Sequence, residues 1–380
     1  MNKTVLSAIV VGAAVVLAAC DSTVPGTPTA ASSAPAIPAG LDVGSNPTTL
    51  RDIPPSSTDG GWIIEGNRMG GALIQVSDVD PRLTIGGIAL RSYPVLNGLD
   101  LSKRVPDATA SAFSINGMRV GMTTTRGDKL ENPSVALRVG LYRFDDPSTA
   151  ARALEAVKKG AGAQRQIAGI DGVFATEFTP GTVDSYRAEG SFVINVSGTA
   201  PTTGEAVGLV SKAYSLQVPA VTRFQPTPSG SVRDLPSDDK GILARTLYEA
   251  NPPVAAKEIA NNYYDLAGLL LRIEDISYAD VYRRAGVDAV GQGKTVVYRT
   301  RDAEAATTLA AARRGRASTT KQDAAGPAGV PGLQCSKYLD DGTFGCTGHV
   351  GRFMYTLSAD SLLAMQQAAA AQYTILAKNP

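Results

Sequence analysis

Apolar and polar positions divide the chain into stretches of different character. An apolar run from Val5 to Leu17 follows a short polar start with one cation, Lys3, and small residues then lead into Leu17-Ala18-Ala19-Cys20. The run falls short of the ~20 residues a spanning helix needs, and its charged start and small-residue end are those of an export signal. In bacterial lipoproteins of this pattern the cysteine receives a diacylglyceryl group and becomes the new N-terminus. Residues 1–19 are therefore expected to be a lipoprotein signal peptide, and Cys20 the lipidation site. Two acyl chains are enough for stable anchoring. Residues 20–58 are rich in Ala, Ser, Thr and Pro, with seven prolines and few large apolar residues. Such a stretch buries too little surface to offset its ordering entropy, and its prolines stiffen it, so it is expected to be a disordered tether.

Periodic patterns begin after the tether. They fall on either side of a Pro-rich break at Gln225-Pro226-Thr227-Pro228-Ser229-Gly230, which places an N-terminal domain at 59–224, a linker at 225–236 and a C-terminal domain at 237–380. The two sides read alike. Leu141-Tyr142-Arg143-Phe144-Asp145-Asp146 has a counterpart in Val297-Tyr298-Arg299-Thr300-Arg301-Asp302. A helix pattern follows each, with Ala150, Leu154 and Val157 in one and Ala305, Leu309 and Ala312 in the other. Each pattern ends in two cations and a glycine, Lys158-Lys159-Gly160 and Arg313-Arg314-Gly315, as a helix C-terminus prefers. Ala168-Gly169-Ile170-Asp171-Gly172-Val173 then aligns on Ala328-Gly329-Val330-Pro331-Gly332-Leu333, and Gly190–Ile194 on Gly351–Tyr355. A last helix closes each half, the first opened by the capping pair Thr202 and Glu205.

Each half thus reads strand, helix, strand, strand, helix. In the second half a further strand is predicted over Leu269–Ile273 and a helix over Tyr278–Arg284. The expected class is α+β: two tandem related domains, each a ferredoxin-like βαββα unit whose antiparallel sheet carries helices on one face.

Three cysteines occur, and one is the lipid site. Cys335 and Cys346 flank the turn Leu339-Asp340-Asp341-Gly342 and are equidistant from its centre, so a hairpin sets them opposite each other, within disulfide reach. A structural bridge is expected there, contributing roughly 3 kcal/mol in the chain-entropy model. The aligned half has Ala175 at the place of Cys335 and Ser185 near that of Cys346.

Charge and chemistry narrow the function mainly by exclusion. Lys and Arg total 36 against 35 Asp and Glu, and removal of Lys3 with the signal brings the net charge from +1 to zero. A balanced surface argues against a nucleic-acid partner, which needs clustered cations. His349, the only histidine, falls on the strand after the hairpin turn; no Gly-x-Ser-x-Gly elbow and no zinc-ligand spacing accompany it. Gly293-Lys294-Thr295 lacks the earlier glycine and the following helix of a phosphate loop. Asp78-Val79-Asp80-Pro81 reads as a turn. Asn195-Val196-Ser197 fits a glycosylation sequon but lies in a strand pattern. Trp62, Tyr263, Tyr264, Tyr278 and Phe224 read as core aromatics. No catalytic, cofactor-binding or metal-ligating residue is assigned.

Several stretches carry a family resemblance: Leu41-Asp42-Val43-Gly44-Ser45-Asn46-Pro47-Thr48, Glu65-Gly66-Asn67-Arg68-Met69, Val79-Asp80-Pro81-Arg82-Leu83, Ala285-Gly286-Val287-Asp288, and Lys294 to Asp302. Over nearly the whole mature length the chain resembles a two-domain actinobacterial (mycobacterial and nocardial) envelope lipoprotein family of unknown function. The resemblance implies two linked domains held at the outer face of the cytoplasmic membrane and carries over no site residue. The expectation is a membrane-anchored extracytoplasmic protein, tethered through Cys20, that binds or scaffolds without catalysis, its ligand a lipid, a small molecule or an envelope protein. An envelope enzyme acting on glycan or lipid through paired carboxylates, and a purely structural protein, are the rival expectations.

Overall fold

The computed structural model describes residues 35–380 apart from 88–91, 161–163, 166, 168–170, 252–259 and 315–319. The export signal, Cys20 and the tether to residue 34 lie outside the described residues, as do Ala168, Gly169, Ile170 and Gly315 of the aligned segments.

After helix α1 (Thr58–Met69) the chain builds one unit and then repeats it. The first comprises β1 (Ile85–Gly86), α2 (Gly98–Ser102), α3 (Asp107–Ile115), β2 (Val120–Gly127), β3 (Ala136–Arg143), α4 (Pro147–Gly160), β4 (Gln164–Arg165), β5 (Phe174–Thr179), β6 (Thr182–Glu189), β7 (Phe192–Thr199) and α5 (Thr203–Arg223). The second comprises β8 (Asn262–Tyr264), α6 (Leu266–Arg272), α7 (Ala279–Arg284), β9 (Ala289–Gln292), β10 (Thr295–Arg299), α8 (Ala303–Arg314), β11 (Lys321–Ala324), β12 (Gln334–Tyr338), β13 (Phe344–Val350), β14 (Phe353–Ala359) and α9 (Leu362–Lys378). The order of elements is the same in both. So is the sheet: β1-β2-β3-β7-β6-β5-β4 and β8-β9-β10-β14-β13-β12-β11, with seven strands each and antiparallel neighbours throughout.

Details repeat as well. Gly117 after α3 and Gly286 after α7 both hold positive φ (76° and 61°), the left-handed cap that glycine adopts without strain. Just upstream, Phe113 and Tyr282 each lie against the tyrosine shared by the two halves, 4.9 Å from Tyr142 and 6.0 Å from Tyr298 between ring centroids.

The α+β class, with two antiparallel sheets carrying helices, is as the sequence implies; three details differ. First, helices cover both faces of each sheet. In β3 and β7, Leu137, Val139, Leu141, Ile194 and Val196 join the core under α5, whereas Tyr142 and Val193 join a second core under α3 and α4. The second sheet divides likewise between α9 on one face and α6–α8 on the other. Second, the unit is not ferredoxin-like. The helix after β3 or β10 carries the chain to the far sheet edge, and a four-strand meander returns it beside the strand it left. Third, Leu269–Leu271 and Arg272 belong to helix α6, with Ile273 just beyond. A short apolar run does not distinguish strand from buried helix, and the deciding signal is Asp265, whose carboxylate accepts from the Gly268 N–H at 2.9 Å as the N-cap.

The segment 35–57, expected in the tether, lies against the second unit. Leu41 and Val43 pack on its core, the Tyr373 hydroxyl donates to the Ala36 carbonyl (2.9 Å), Gln367 donates to Asp42 (3.0 Å), and the Arg51 N–H donates to Ala244 O (3.1 Å). Composition alone makes this stretch look disordered, but two apolar side chains and these bonds hold it.

The halves join through α1, α6 and the turn around β1. Arg126 of β2 is 1% exposed, and its guanidinium donates to four backbone carbonyls: Thr84 (2.9 Å), Glu274 (3.3 Å), Leu270 (2.7 Å) and Ile273 (3.1 Å). Leu270 and Ile273 lie at the C-terminal end of α6, where carbonyls lack helical partners. Arg272 donates to Asn67 Oδ1 at 2.7 Å, and Asn67 donates to the Tyr263 carbonyl at 3.1 Å. The Pro-rich break is also fixed. Buried Glu65 of α1 accepts from Arg143, Arg68 and the Thr227 N–H, and Val232 of the following turn is buried against the same core.

Candidate functional site

The α3–α4 face of the first sheet is apolar under its helices and polar beyond them. There Arg138 on β3, Asp184 on β6 and Asn195 on β7 form one network. Arg138 donates through Nη2 to Asp184 Oδ1 (3.2 Å) and through Nε to Asn195 Oδ1 (3.3 Å), while Asn195 Nδ2 donates to Asp184 Oδ1 (2.9 Å). On the other carboxylate oxygen, the Tyr186 hydroxyl donates to Asp184 Oδ2 at 2.5 Å, and Thr109 of α3 backs that hydroxyl at 3.3 Å. Asp184 and Asn195 are buried, so their charge and amide are satisfied by protein rather than water. Strand pairing creates the network, with Arg138 opposite Ser197, Asp184 opposite Ser197, and Tyr186 opposite Asn195.

This network is part of the wall of a cavity of about 620 Å³, within the ~300–1,000 Å³ common for ligand pockets. Arg138, Asp184, Ser197 and Thr199 line it from the sheet, and the α2–α3 connection from Lys103 to Pro106, with Asp107 at the start of α3, lines another side. Phe178 lines it too, although 63% exposed. The strand carries Phe178 there through a bulge: β5 pairs with β6 at Glu177–Val183 and Thr179–Thr182, leaving Phe178 between them unpaired. Bulges of this kind redirect a side chain. Tyr186 is no nucleophile, because burial first, and the Asp184 carboxylate second, push its phenol well above the ordinary value.

The second copy is built differently at the same place. With Phe192 matched to Phe353, strand register sets Asp184 on Gly345 and Ser185 on Cys346; with Ala175 matched to Cys335, Phe178 falls on Tyr338. A Cβ at Gly345 would meet the Tyr338 ring at 2.8 Å, so the aromatic closes over the position that Asp184 occupies in the first copy. The fold therefore does not require the charged network.

The second copy's corresponding face borders another cavity, about 420 Å³, between the halves. Tyr264, Tyr282, Tyr298, Arg272 and Arg313 line it. These groups are largely engaged with one another and with the junction: Arg272 lies 4.2 Å from the Tyr264 ring centroid and bonds Asn67, and Arg313 donates to the Tyr282 hydroxyl.

Of the residues singled out from sequence, Cys335 and Cys346 are Cα partners across β12 and β13, 4.1 Å apart, with their sulfurs bonded. At the same rung of the first copy stand Ala175 and Ser185. His349 sits on β13 of the second unit beside Gly332, in a different sheet from Asp184 of the first-copy network; burial and then Arg314 lower its pKa. Asn195 of the sequon is buried in the network, Trp62 and Tyr264 are buried, and Tyr263 lines a cavity of about 320 Å³ with Tyr264. Lys294 donates to Asn46, and Asp80 to Arg82 forms an ion pair at 2.7 Å. Among the described residues no group of three or more His, Cys, Asp or Glu side chains could hold a metal ion, and no helix is long and apolar enough to cross a membrane. Sequence reasoning missed Arg138, Asp184 and Phe178. The signal for Asp184 is an acid within an apolar strand pattern whose repeat carries glycine.

The fold and cradle define a class: an α+β protein made of two copies of one seven-stranded unit, with a polar cradle in the first copy where, among the described residues, the second has Gly345 under Tyr338. The chain belongs to the DUF7373 family. Its N-terminal domain of unknown function matches residues 53–237 and its C-terminal one residues 242–379. No curated protein matches the chain. Among solved structures, the extracellular domain of PknH from Mycobacterium tuberculosis is matched over 43% of this chain and 100% of that one, at 11% identity and a TM-score of 0.26, too slight a likeness to carry an argument.

Proposed function

We propose that this chain is a lipid-anchored extracytoplasmic protein of an actinobacterial envelope that binds a ligand without transforming it. The observation that carries the binding reading is the charged network beside a 620 Å³ cavity in one copy of a scaffold that folds without it in the other. Stability does not explain a buried charged cluster, since apolar packing serves a core as well or better. The anchoring rests on Leu17-Ala18-Ala19-Cys20 and the family resemblance.

Two measurements test this. Labelled palmitate should enter the chain in its host and fail to enter Cys20→Ala. Native mass spectrometry of the protein recovered from its envelope should show a retained small molecule or lipid that Arg138→Ala loses. An empty wild-type protein would remove the tight-binding reading.

One observation favours a second reading, glycan hydrolysis: Asp107 and Asp184 line the same cavity, as paired carboxylates do in glycosidases. Release of reducing ends from envelope glycan, abolished by Asp107→Asn, would establish it over binding.

A further inference from the structure

We propose that the first-copy cradle is a saccharide site, with the Phe178 ring as its platform and Arg138, Asp184 and the neighbouring hydroxyls as its polar wall. This rests on the binding reading above and names the ligand class of that site. A sugar presents vicinal hydroxyls, each both donor and acceptor, around a ring whose C–H face is apolar. The cradle matches all three properties. Arg138 supplies donors, Asp184 an acceptor, and Ser197 and Thr199 groups of either kind, on one sheet face. The carboxylate and guanidinium bond each other at 3.2 Å, which fixes their orientation before a ligand arrives. Beside them stands an exposed aromatic, 63% accessible, that strand geometry does not explain as core and that a bulge directs to the cavity.

Other ligands fit less well. A phosphate would approach the Asp184 carboxylate and the nearby Asp107 as well as the cations. An acyl chain would lie on a charged and hydroxylated floor. A peptide adding as a strand needs an open sheet edge, whereas β3, β7 and β6 are interior strands of the sheet.

The comparison of the two copies says the same. Where the second copy lays Tyr338 against Gly345, the first has an acid in the glycine's place and its aromatic, Phe178, at a break in strand register. These are two changes at one place, and together they open a cavity between an aromatic and a carboxylate.

The test uses the full chain, purified in detergent, on an array of defined mono- to hexasaccharides, with isothermal titration of whichever saccharide binds. Phe178→Ala and Arg138→Ala should each weaken that binding by about tenfold or more, the scale of one charge-assisted hydrogen bond or one stacked ring. Phe178 is exposed, so its variant should melt as the wild type does and keeps the test clear of misfolding. Saccharide binding unchanged in both variants would overturn the assignment by placing the site elsewhere. No saccharide binding, with a non-saccharide ligand retained from the envelope and lost in Arg138→Ala, would overturn the saccharide class and leave the binding reading standing. Neither saccharide binding nor a retained ligand would overturn both.

Discussion

Arg126 is the residue whose loss should most change how the two halves behave. Its guanidinium is buried without a bonded carboxylate; four backbone carbonyls take its place, two on each terminal nitrogen. Burial lowers its pKa to about 10, well below the ordinary guanidinium value, a measure of the desolvation it bears, equivalent to about 3 kcal/mol. Hydrogen bonds from a charged donor are worth about 1.5–3 kcal/mol each, discounted here because each nitrogen is shared between two acceptors. Gain and cost together leave a net of about 3–5 kcal/mol. Arg126→Met should therefore lower stability by about 3–5 kcal/mol, leaving the α6 carbonyls of Leu270 and Ile273 without a donor. Arg126→Lys, with one ammonium in place of the fork, should fall between. Urea unfolding followed by fluorescence is a direct assay, because Trp62, the single tryptophan, is buried in α1 at the junction, 5.0 Å from the Arg143 guanidinium carbon. Far-ultraviolet circular dichroism reports both halves. Wild type should give coincident transitions, and Arg126→Met an earlier fluorescence transition separated from the dichroism. A loss below about 1 kcal/mol with transitions still coincident would refute the reasoning, showing that desolvation cancels the four bonds.

Other perturbations have equally definite outcomes. Tyr142 and Tyr263 have pKa values raised to about 12 by burial, and Tyr214, Tyr298 and Tyr355 are raised for the same reason. The folded state holds these protons more tightly than the unfolded one, so their contribution is complete below pH 10 and is lost as pH rises from 10 through 12; absorbance at 295 nm should show fewer than the thirteen tyrosines ionising before the chain unfolds. A Cβ at Gly61 would lie 2.1 Å from the Val232 carbonyl oxygen, so Gly61→Ala should cost about 1–3 kcal/mol in thermal unfolding; an unchanged melting temperature would show that the linker turn is not seated on α1. Replacing both Cys335 and Cys346 with alanine should cost roughly 2–3 kcal/mol, read as a lower urea midpoint, and reductant should lower wild type by a similar amount while leaving the double variant unmoved.

The duplication was legible because it is written in local signals. Tyr142-Arg143 and Tyr298-Arg299, and the paired cations at the ends of α4 and α8, mark equivalent positions within single elements. The hairpin disulfide geometry needed only a turn and equal spacing. What sequence did not show depends on contacts between elements. Burial on both sheet faces is hinted at by neighbouring apolar pairs such as Leu141-Tyr142 and Val193-Ile194, yet which helix takes which face follows from packing. The docking of residues 36–51 turns on Leu41, Val43 and partners such as Tyr373, more than 300 residues away in the chain, as in the Tyr373–Ala36 bond with its separation of 337. The cradle is assembled across β3, β6 and β7, so Arg138 and Asp184, 46 residues apart, look unrelated until the strands pair.

Two units with the same order of elements and the same sheet topology face the same folding problem, and where their solutions differ, the difference is informative. The rung that holds Cys335 and Cys346 in the second copy holds Ala175 and Ser185 in the first, where the Ser185 hydroxyl donates to the Val196 carbonyl at 2.6 Å. Next along β6 and β13 come Asp184 and Gly345. The copy with the covalent staple is thus the one whose aromatic closes over a glycine, and the uncrosslinked copy is the one with an open cavity and a buried acid. A disulfide and a close aromatic contact both restrict how far β12 can move from β13. The first copy carries neither restriction between β5 and β6, and its register breaks at Phe178. Selection for stability alone would favour the closed arrangement in both copies, since it avoids the cost of burying charge. That the first copy retains Asp184, its three side-chain partners and the displaced aromatic together is the pattern expected when that end of the sheet is kept for something other than folding.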